Sequence, residues 1–167
     1  MSETLSPVLP DQVDEAARLM LERACERELS IATAESCTGG LLASLLTDVE
    51  GAAHAFERGF VVYTNEAKTE MLGIDRSLIE GAGAVSEAVA RAMAEGALRK
   101  SHAQIALSVT GFAGHGGPDD EPGLVHFACA REGRRTEHRE EHFGDIGRGP
   151  VRIECIRVGL EMLDEAL

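Results

Sequence analysis

A serine, a tyrosine and a lysine stand beside a glycine-rich turn and two strand ends: Ala34-Glu35-Ser36-Cys37-Thr38-Gly39-Gly40, then Tyr63-Thr64-Asn65-Glu66-Ala67-Lys68. A serine hydroxyl is a poor nucleophile at neutral pH unless a positioned base takes its proton, and a desolvated lysine amine is able to do so. Arginine is not, because its guanidinium keeps its charge inside a protein. That contrast counts in a chain with sixteen Lys plus Arg, of which only Lys68 and Lys100 are lysines. The set suits nucleophilic attack by Ser36 with Lys68 as base and a phenol, Tyr63, nearby. A plainer reading of the same spacing makes Ser36 a helix cap and Lys68 a surface residue early in a helix.

Helix and strand patterns alternate along the chain. Pro10 then Asp11 opens a helix over 11–28, with Val13, Ala16, Ala17, Met20, Leu21 and Ala24 on one stripe. Ser30 to Ser36 is a short strand; after the turn, Leu41, Leu42, Leu45 and Leu46 resume helical spacing. Phe60-Val61-Val62-Tyr63 lies in a strand from Gly59 to Thr64 that reads as buried, followed by a helix from Glu66 to Leu72. Ser86 caps a helix of small residues through Ala97, whose lack of bulk permits close packing on a sheet. Ile105 to Thr110 is a third strand and runs into the loop Gly111-Phe112-Ala113-Gly114-His115-Gly116-Gly117-Pro118. Leu124 to Ala130 is a fourth strand, Thr136 to Phe143 an edge strand, and Pro150 starts the last helix.

This alternation predicts an α/β layer fold with a mixed, mostly parallel sheet of about five strands, the last two forming a hairpin. One domain over 11–167 is expected, behind a flexible stretch at 1–10. Ligands in such sheets bind beyond the carboxyl ends of strands, where Ser36, Tyr63 and Thr110 all fall. The turn from Cys37 to Gly40 adds unpaired amides at a helix start, suited to a phosphate or to the oxyanion formed when an acyl carbon is attacked.

Composition narrows the partners. The chain has 167 residues, 44% of them hydrophobic and 27% charged, which is ordinary for one globular core. A net charge of -13 repels phosphate backbones and anionic lipid, so neither nucleic acid nor membrane is expected as a partner. No apolar run reaches the ~18 residues of a membrane helix. Without a leader pattern, and with Cys25, Cys37, Cys129 and Cys155 scattered, a cytoplasmic protein with reduced thiols is expected. A cysteine hydrolase built on Cys37 lacks a histidine base at a known spacing. His138-Arg139-Glu140-Glu141-His142 matches an inverted zinc-peptidase string, but in a strand at ~3.3 Å per residue its imidazoles stand roughly 13 Å apart. Asp119-Asp120-Glu121 reads as an acidic surface loop, and the glycine loop lacks a dinucleotide or nucleoside-triphosphate fingerprint. His54, His102, His115 and His126 have no second partner legible in the sequence. No metal and no cofactor are expected.

The segments Ala34–Gly40, Gly59–Lys68, Gly83-Ala84-Val85-Ser86 and Ser108-Val109-Thr110-Gly111-Phe112-Ala113-Gly114 together resemble the C-terminal domain family of the competence/damage-inducible protein CinA, over residues 11–165. The resemblance implies a three-layer α/β/α fold. From stand-alone members it implies deamidation of nicotinamide mononucleotide to nicotinic acid mononucleotide and ammonia, in salvage of the pyridine ring. It implies Ser36 as nucleophile, Lys68 as general base and Tyr63 as proton relay or orienting hydroxyl. By the same resemblance Cys37, Thr38, Gly39 and Gly40 contact substrate through their turn, Thr110, Gly111 and Gly114 approach the ribose phosphate, and Arg152 is its partner. Related domains often self-associate, so a homo-oligomer is expected; the N-terminal molybdopterin-binding-like domain of longer members is not expected here. His115 stands where the family usually has proline, and Gly144-Asp145-Ile146-Gly147-Arg148 differs from the commoner Gly-Asp-Arg pattern. An alternative from another class is a non-catalytic module that senses a nucleotide with the same glycine loops.

Overall fold

The computed structural model describes residues 9–167, so most of the stretch 1–10 lies outside the described residues. In chain order the elements are α1 (Asp11–Glu26), β1 (Ile31–Glu35), α2 (Leu41–Leu46), a 3-10 turn (Ala53–Ala55), β2 (Phe56–Val61) and α3 (Asn65–Leu72). They continue with α4 (Arg76–Ala82), α5 (Glu87–Arg99), β3 (Ile105–Gly111), β4 (Leu124–Arg131), β5 (Glu137–His142) and α6 (Arg148–Ala166). The strands form one sheet in the order β2-β1-β3-β4-β5. β1 pairs parallel with β2 and β3, whereas β4 pairs antiparallel with β3 and β5, so β4 alone runs against the rest. The last two strands make the expected hairpin.

Period-two alternation divides the strand residues between two helical layers. Ile31, Ile105, Leu107 and Phe127 pack with α1, α2 and α6, where Leu42, Leu46, Val158 and Leu163 are buried. Each large side chain buried there contributes about 1.5–3 kcal/mol. The other face carries Ala32, Ala34, Ala106, Ala128 and Ala130, and α5 meets it with Ala90, Ala94 and Ala97. Small residues on both sides let the backbones approach, and Ser108 Oγ donates to the Ala90 carbonyl at 2.6 Å. Thr64 caps α3 by accepting from the Ala67 amide, Ser86 caps α5 by accepting from Val89, and Gly73 ends α3 at φ 70°.

Several boundaries depart from the sequence reading. β2 begins and ends earlier than Gly59 to Thr64, and it is a half-exposed edge strand, not a buried one, because it stands at the end of the strand order with β1 as its one neighbour. α1 stops at Glu26. α4 is unforeseen: only Ile79 is buried along it, too little apolar content for periodicity to register. α6 starts before Pro150, which sits in the first turn where the missing N–H is no loss. Among the described residues no helix is long and apolar enough to cross a membrane.

Candidate active site

β1 and β2 lie parallel and adjacent, so both open at the same edge of the sheet. Ser36 leaves β1 with its amide held by the Val109 carbonyl of β3 at 3.0 Å, and the Val62 amide continues the pairing to the Glu35 carbonyl at 2.9 Å. Thr64 then starts α3, and its first turn swings Lys68 back beneath the strand ends. Lys68 Nζ lies 3.1 Å from Ser36 Oγ, 3.0 Å from the Val62 carbonyl and 3.2 Å from the Tyr63 carbonyl. Lys68 is 1% exposed and Ser36 7%, so the surface-lysine reading fails.

Those partners define what the amine can do. Carbonyls only accept, so a neutral amine spends its two hydrogens on Val62 and Tyr63 and turns its lone pair to the Ser36 hydroxyl. Burial favours that neutral form by lowering the Lys68 pKa below the ordinary lysine value, and the Cys37 sulfur partly opposes the shift.

Sequence reasoning missed Glu35. This fully buried carboxylate accepts from Thr38 Oγ1 at 2.7 Å and from the Leu42 and Ala43 amides, each at 2.9 Å. It thereby caps α2 from the strand before the turn. The only signal was a single charge ending an otherwise uncharged strand immediately ahead of Ser36. Gly39 at φ 61° and Gly40 at φ 96° give the turn a shape that side chains rarely adopt. Because Glu35 occupies the α2 amides, they are not open to a substrate phosphate. Among the described residues the Cys37 and Thr38 amides show no main-chain acceptor, and the Cys37 amide is hydrogen-bonded to its own sulfur.

The other predicted residues divide between the cleft and its supports. Tyr63 touches Lys68 through its carbonyl, while its side chain is 68% exposed at the cleft mouth. Thr110 is buried and donates from Oγ1 to the Ala84 carbonyl at 2.8 Å, tying the Gly83–Ser86 segment to β3. Gly111 is demanded by packing, since an added Cβ would stand 2.7 Å from Val125. At Gly114 a Cβ would stand 3.0 Å from Arg148 Nη2. Arg152 Nε donates to the Cys37 carbonyl at 2.9 Å, so it steadies the turn that follows Ser36. Arg148, not singled out as a binding residue, lines a cleft of about 100 Å³ with Cys37, Tyr63, Gly111 and Gly114. The two departures meet at its rim, where His115 Nε2 is 3.3 Å from Asp145 Oδ2. The zinc-like string lies on β5, and no group of three or more His, Cys, Asp or Glu among the described residues could hold a metal ion.

Known proteins are similar to this chain in sequence and in fold. A CinA-like protein of Leptospira borgpetersenii is 43% identical over 160 residues, 95% of this chain and 37% of that protein. One from Syntrophus aciditrophicus is 44% identical over 143 residues, covering 85% and 34%. The chain thus spans about a third of the length of these curated relatives. The solved structure of competence/damage inducible protein CihA from Agrobacterium tumefaciens superposes with a TM-score of 0.92 at 42% identity, over 99% of each chain. A competence-damaged protein (CinA) superfamily protein from Escherichia coli gives 0.87 at 34%, over 95% of this chain and 94% of that one. Residues 13–167 match the family described as CinA C-terminal domain, and with these relatives alongside, the chain belongs to that family.

Proposed function

We propose that this domain is a nicotinamide-nucleotide amidase, hydrolysing nicotinamide mononucleotide to nicotinic acid mononucleotide and ammonia. The observation that carries the chemistry is the buried 3.1 Å contact between Lys68 Nζ and Ser36 Oγ; the family likeness supplies the substrate. Ser36 Oγ attacks the carboxamide carbon while Lys68 takes its proton. The tetrahedral oxyanion is met by the Cys37 and Thr38 amides. Protonated Lys68, or the Tyr63 hydroxyl, gives a proton to departing ammonia. Water, deprotonated by Lys68, then cleaves the acyl-enzyme and restores Ser36. In this reading the ligand lies along the small cleft lined by Cys37, Tyr63, Gly111, Gly114 and Arg148, with its carboxamide end turned to Ser36 and its phosphate to Arg148. A guanidinium there pairs with a phosphate through two parallel hydrogen bonds.

The test is ammonia release from nicotinamide mononucleotide, lost in Ser36→Ala with folding retained. A folded Ser36→Ala protein at full rate would overturn the nucleophile assignment. Tight binding of the nucleotide without turnover, even at high protein concentration, would favour a sensing module instead.

A further inference from the structure

Carboxylates outnumber cations in this chain, 29 Asp plus Glu against 16 Lys plus Arg, and Arg18, Arg23, Arg58, Arg91, Arg139 and Arg157 each pair with one. At one end of the molecule that pairing stops. Arg134 and Arg135, exposed in the turn that joins β4 to β5, have no ion pair or side-chain hydrogen bond among the described residues. Arg131, which ends β4, gives Nη1 to the Ala166 carbonyl and, at 2.7 Å, to the Leu167 main-chain oxygen; its Nε and Nη2 have no acceptor there. These three arginines line one cavity of about 310 Å³, to which Cys129 of β4 and Met162 of α6, both buried, give an apolar wall. Glu137 and Glu165 line it too; Glu165 is held by Arg139 at 3.0 Å, whereas Glu137 has no ion pair among the described residues. Arg131 pairs with Ile105 at the start of β3, and Ser36 is held by Val109, about 13 Å along that strand. The cavity and the catalytic cleft therefore lie toward opposite ends of the sheet and share no lining residue.

We propose that this cavity is a second ligand site and takes a nucleoside monophosphate. The phosphate meets the guanidiniums of Arg131, Arg134 and Arg135, whose planar forks match phosphate oxygens through parallel hydrogen bonds. The flat base lies on Cys129 and Met162, since polarisable sulfur packs well against aromatic rings. An exocyclic amine on the base donates to Glu137. A bare anion would leave that carboxylate as an unanswered repulsion, so the lining favours a ligand that carries hydrogen-bond donors as well as negative charge. The volume stands at the low end of the ~300–1,000 Å³ typical of small-molecule sites, room for one base and one phosphate rather than a dinucleotide. The net charge of -13 does not forbid an anion here, because charges farther off than the ~10 Å Debye length of 0.1 M salt are screened and the nearby arginines set the local potential.

The experiment titrates adenosine monophosphate into protein with isotope-labelled methionine methyls and follows the Met162 resonance, assigned with Met162→Leu. Met162 is expected to shift saturably, while Met93, buried in the layer on the other face of the sheet, stays in place. Arg134→Ala/Arg135→Ala removes two exposed side chains that bond to nothing else in the fold, and is expected to weaken binding roughly tenfold or more. Arg148→Ala, at the catalytic cleft, leaves the affinity unchanged. Adenosine, which lacks the phosphate, and inorganic phosphate, which lacks the base, each bind roughly tenfold or more weakly than the nucleotide. No Met162 shift at millimolar nucleotide, or a loss of binding in Arg148→Ala in place of the double variant, overturns the site. Inorganic phosphate as tight as the nucleotide overturns the nucleotide assignment, and adenosine as tight overturns the role of the arginines. Binding is read without turnover, so failure of the amidase reading leaves this site standing, and its own failure leaves that reading untouched.

Discussion

Replacing Lys68 with methionine removes the amine and keeps an unbranched stem in its buried channel. On the proposed mechanism, loss of an amine held 3.1 Å from Ser36 Oγ is expected to lower kcat/KM by about 10²–10⁴-fold, which is about 2.7–5.4 kcal/mol of transition-state stabilisation. Stability moves in two directions. The Val62 and Tyr63 carbonyls lose their donor, at about 1–3 kcal/mol for each one left dry. Against this, the variant is relieved of the desolvation that lowers the Lys68 pKa. Urea unfolding is therefore expected to show a far smaller change than the rate does. Lys68→Arg separates charge from basicity: its guanidinium stays protonated, so it is as slow as the methionine variant. On the amidase proposal, kcat/KM of the wild-type protein is expected to rise with pH as the amine loses its proton, with a midpoint below the ordinary 10.5, since burial favours the neutral form. The assay is ammonia release from nicotinamide mononucleotide across pH. A Lys68→Arg protein within tenfold of wild type, or a midpoint at the ordinary lysine value, refutes the reasoning.

Glu35→Gln turns one buried acceptor into a donor facing the hydrogens of Thr38, Leu42 or Ala43. Urea unfolding is expected to register a loss of about 1–3 kcal/mol, with slower ammonia release as the turn loosens. Arg148→Ala forfeits a charge-assisted bond and raises KM for nicotinamide mononucleotide roughly 10–150-fold. Nicotinamide riboside, which lacks the phosphate, serves as control; equal effects on both would remove Arg148 from phosphate recognition. His126 Nδ1 and His138 Nε2 lie 3.0 Å apart, and burial lowers both pKa values from 6.5 despite the Glu140 and Glu87 carboxylates facing them; Arg91 adds to the shift at His138. Depressed histidines leave the unfolded chain binding more protons, so their stabilisation is present above pH 6.5 and is lost as pH falls toward the folded values. His142, raised by its hydrogen bonds to Glu121 and Glu140, acts oppositely: its contribution is present below 6.5 and lost as pH rises through its folded value. Thermal unfolding of a His126→Gln/His138→Gln variant is thus expected to lose less Tm on acidification than wild type. A greater loss would contradict this sign.

The gathering of Ser36 and Tyr63 is legible in the sequence because strand ends in an open α/β sheet converge on one edge, whereas spacing left Lys68 open to a surface reading and the family resemblance tied it to Ser36. The small residues of α5 announce its close approach to the sheet in the same way. Long-range side-chain bonds leave no such trace. Thr110 sits at the foreseen strand end, yet its hydroxyl is taken by Ala84, a partner set by how α5 docks. Glu35 reaches α2 across a turn, a pairing no helical or strand period encodes. Arg152 and Arg148 open the same helix, and only the path of the turn decides which of them meets Cys37 and which faces the cleft. The aromatic and β-branched run at Phe60 misled because local propensity does not say whether a strand is central or at the edge.

The β1–β2 register fixes the separation of hydroxyl and amine, whereas the cleft walls come from the separate segments 111–116 and 148 onward. Reactivity and selectivity are thus inherited through different stretches of chain. If the proposed amidase reading holds, substitutions at the walls retune which amide is accepted while the Ser36–Lys68 contact stays untouched.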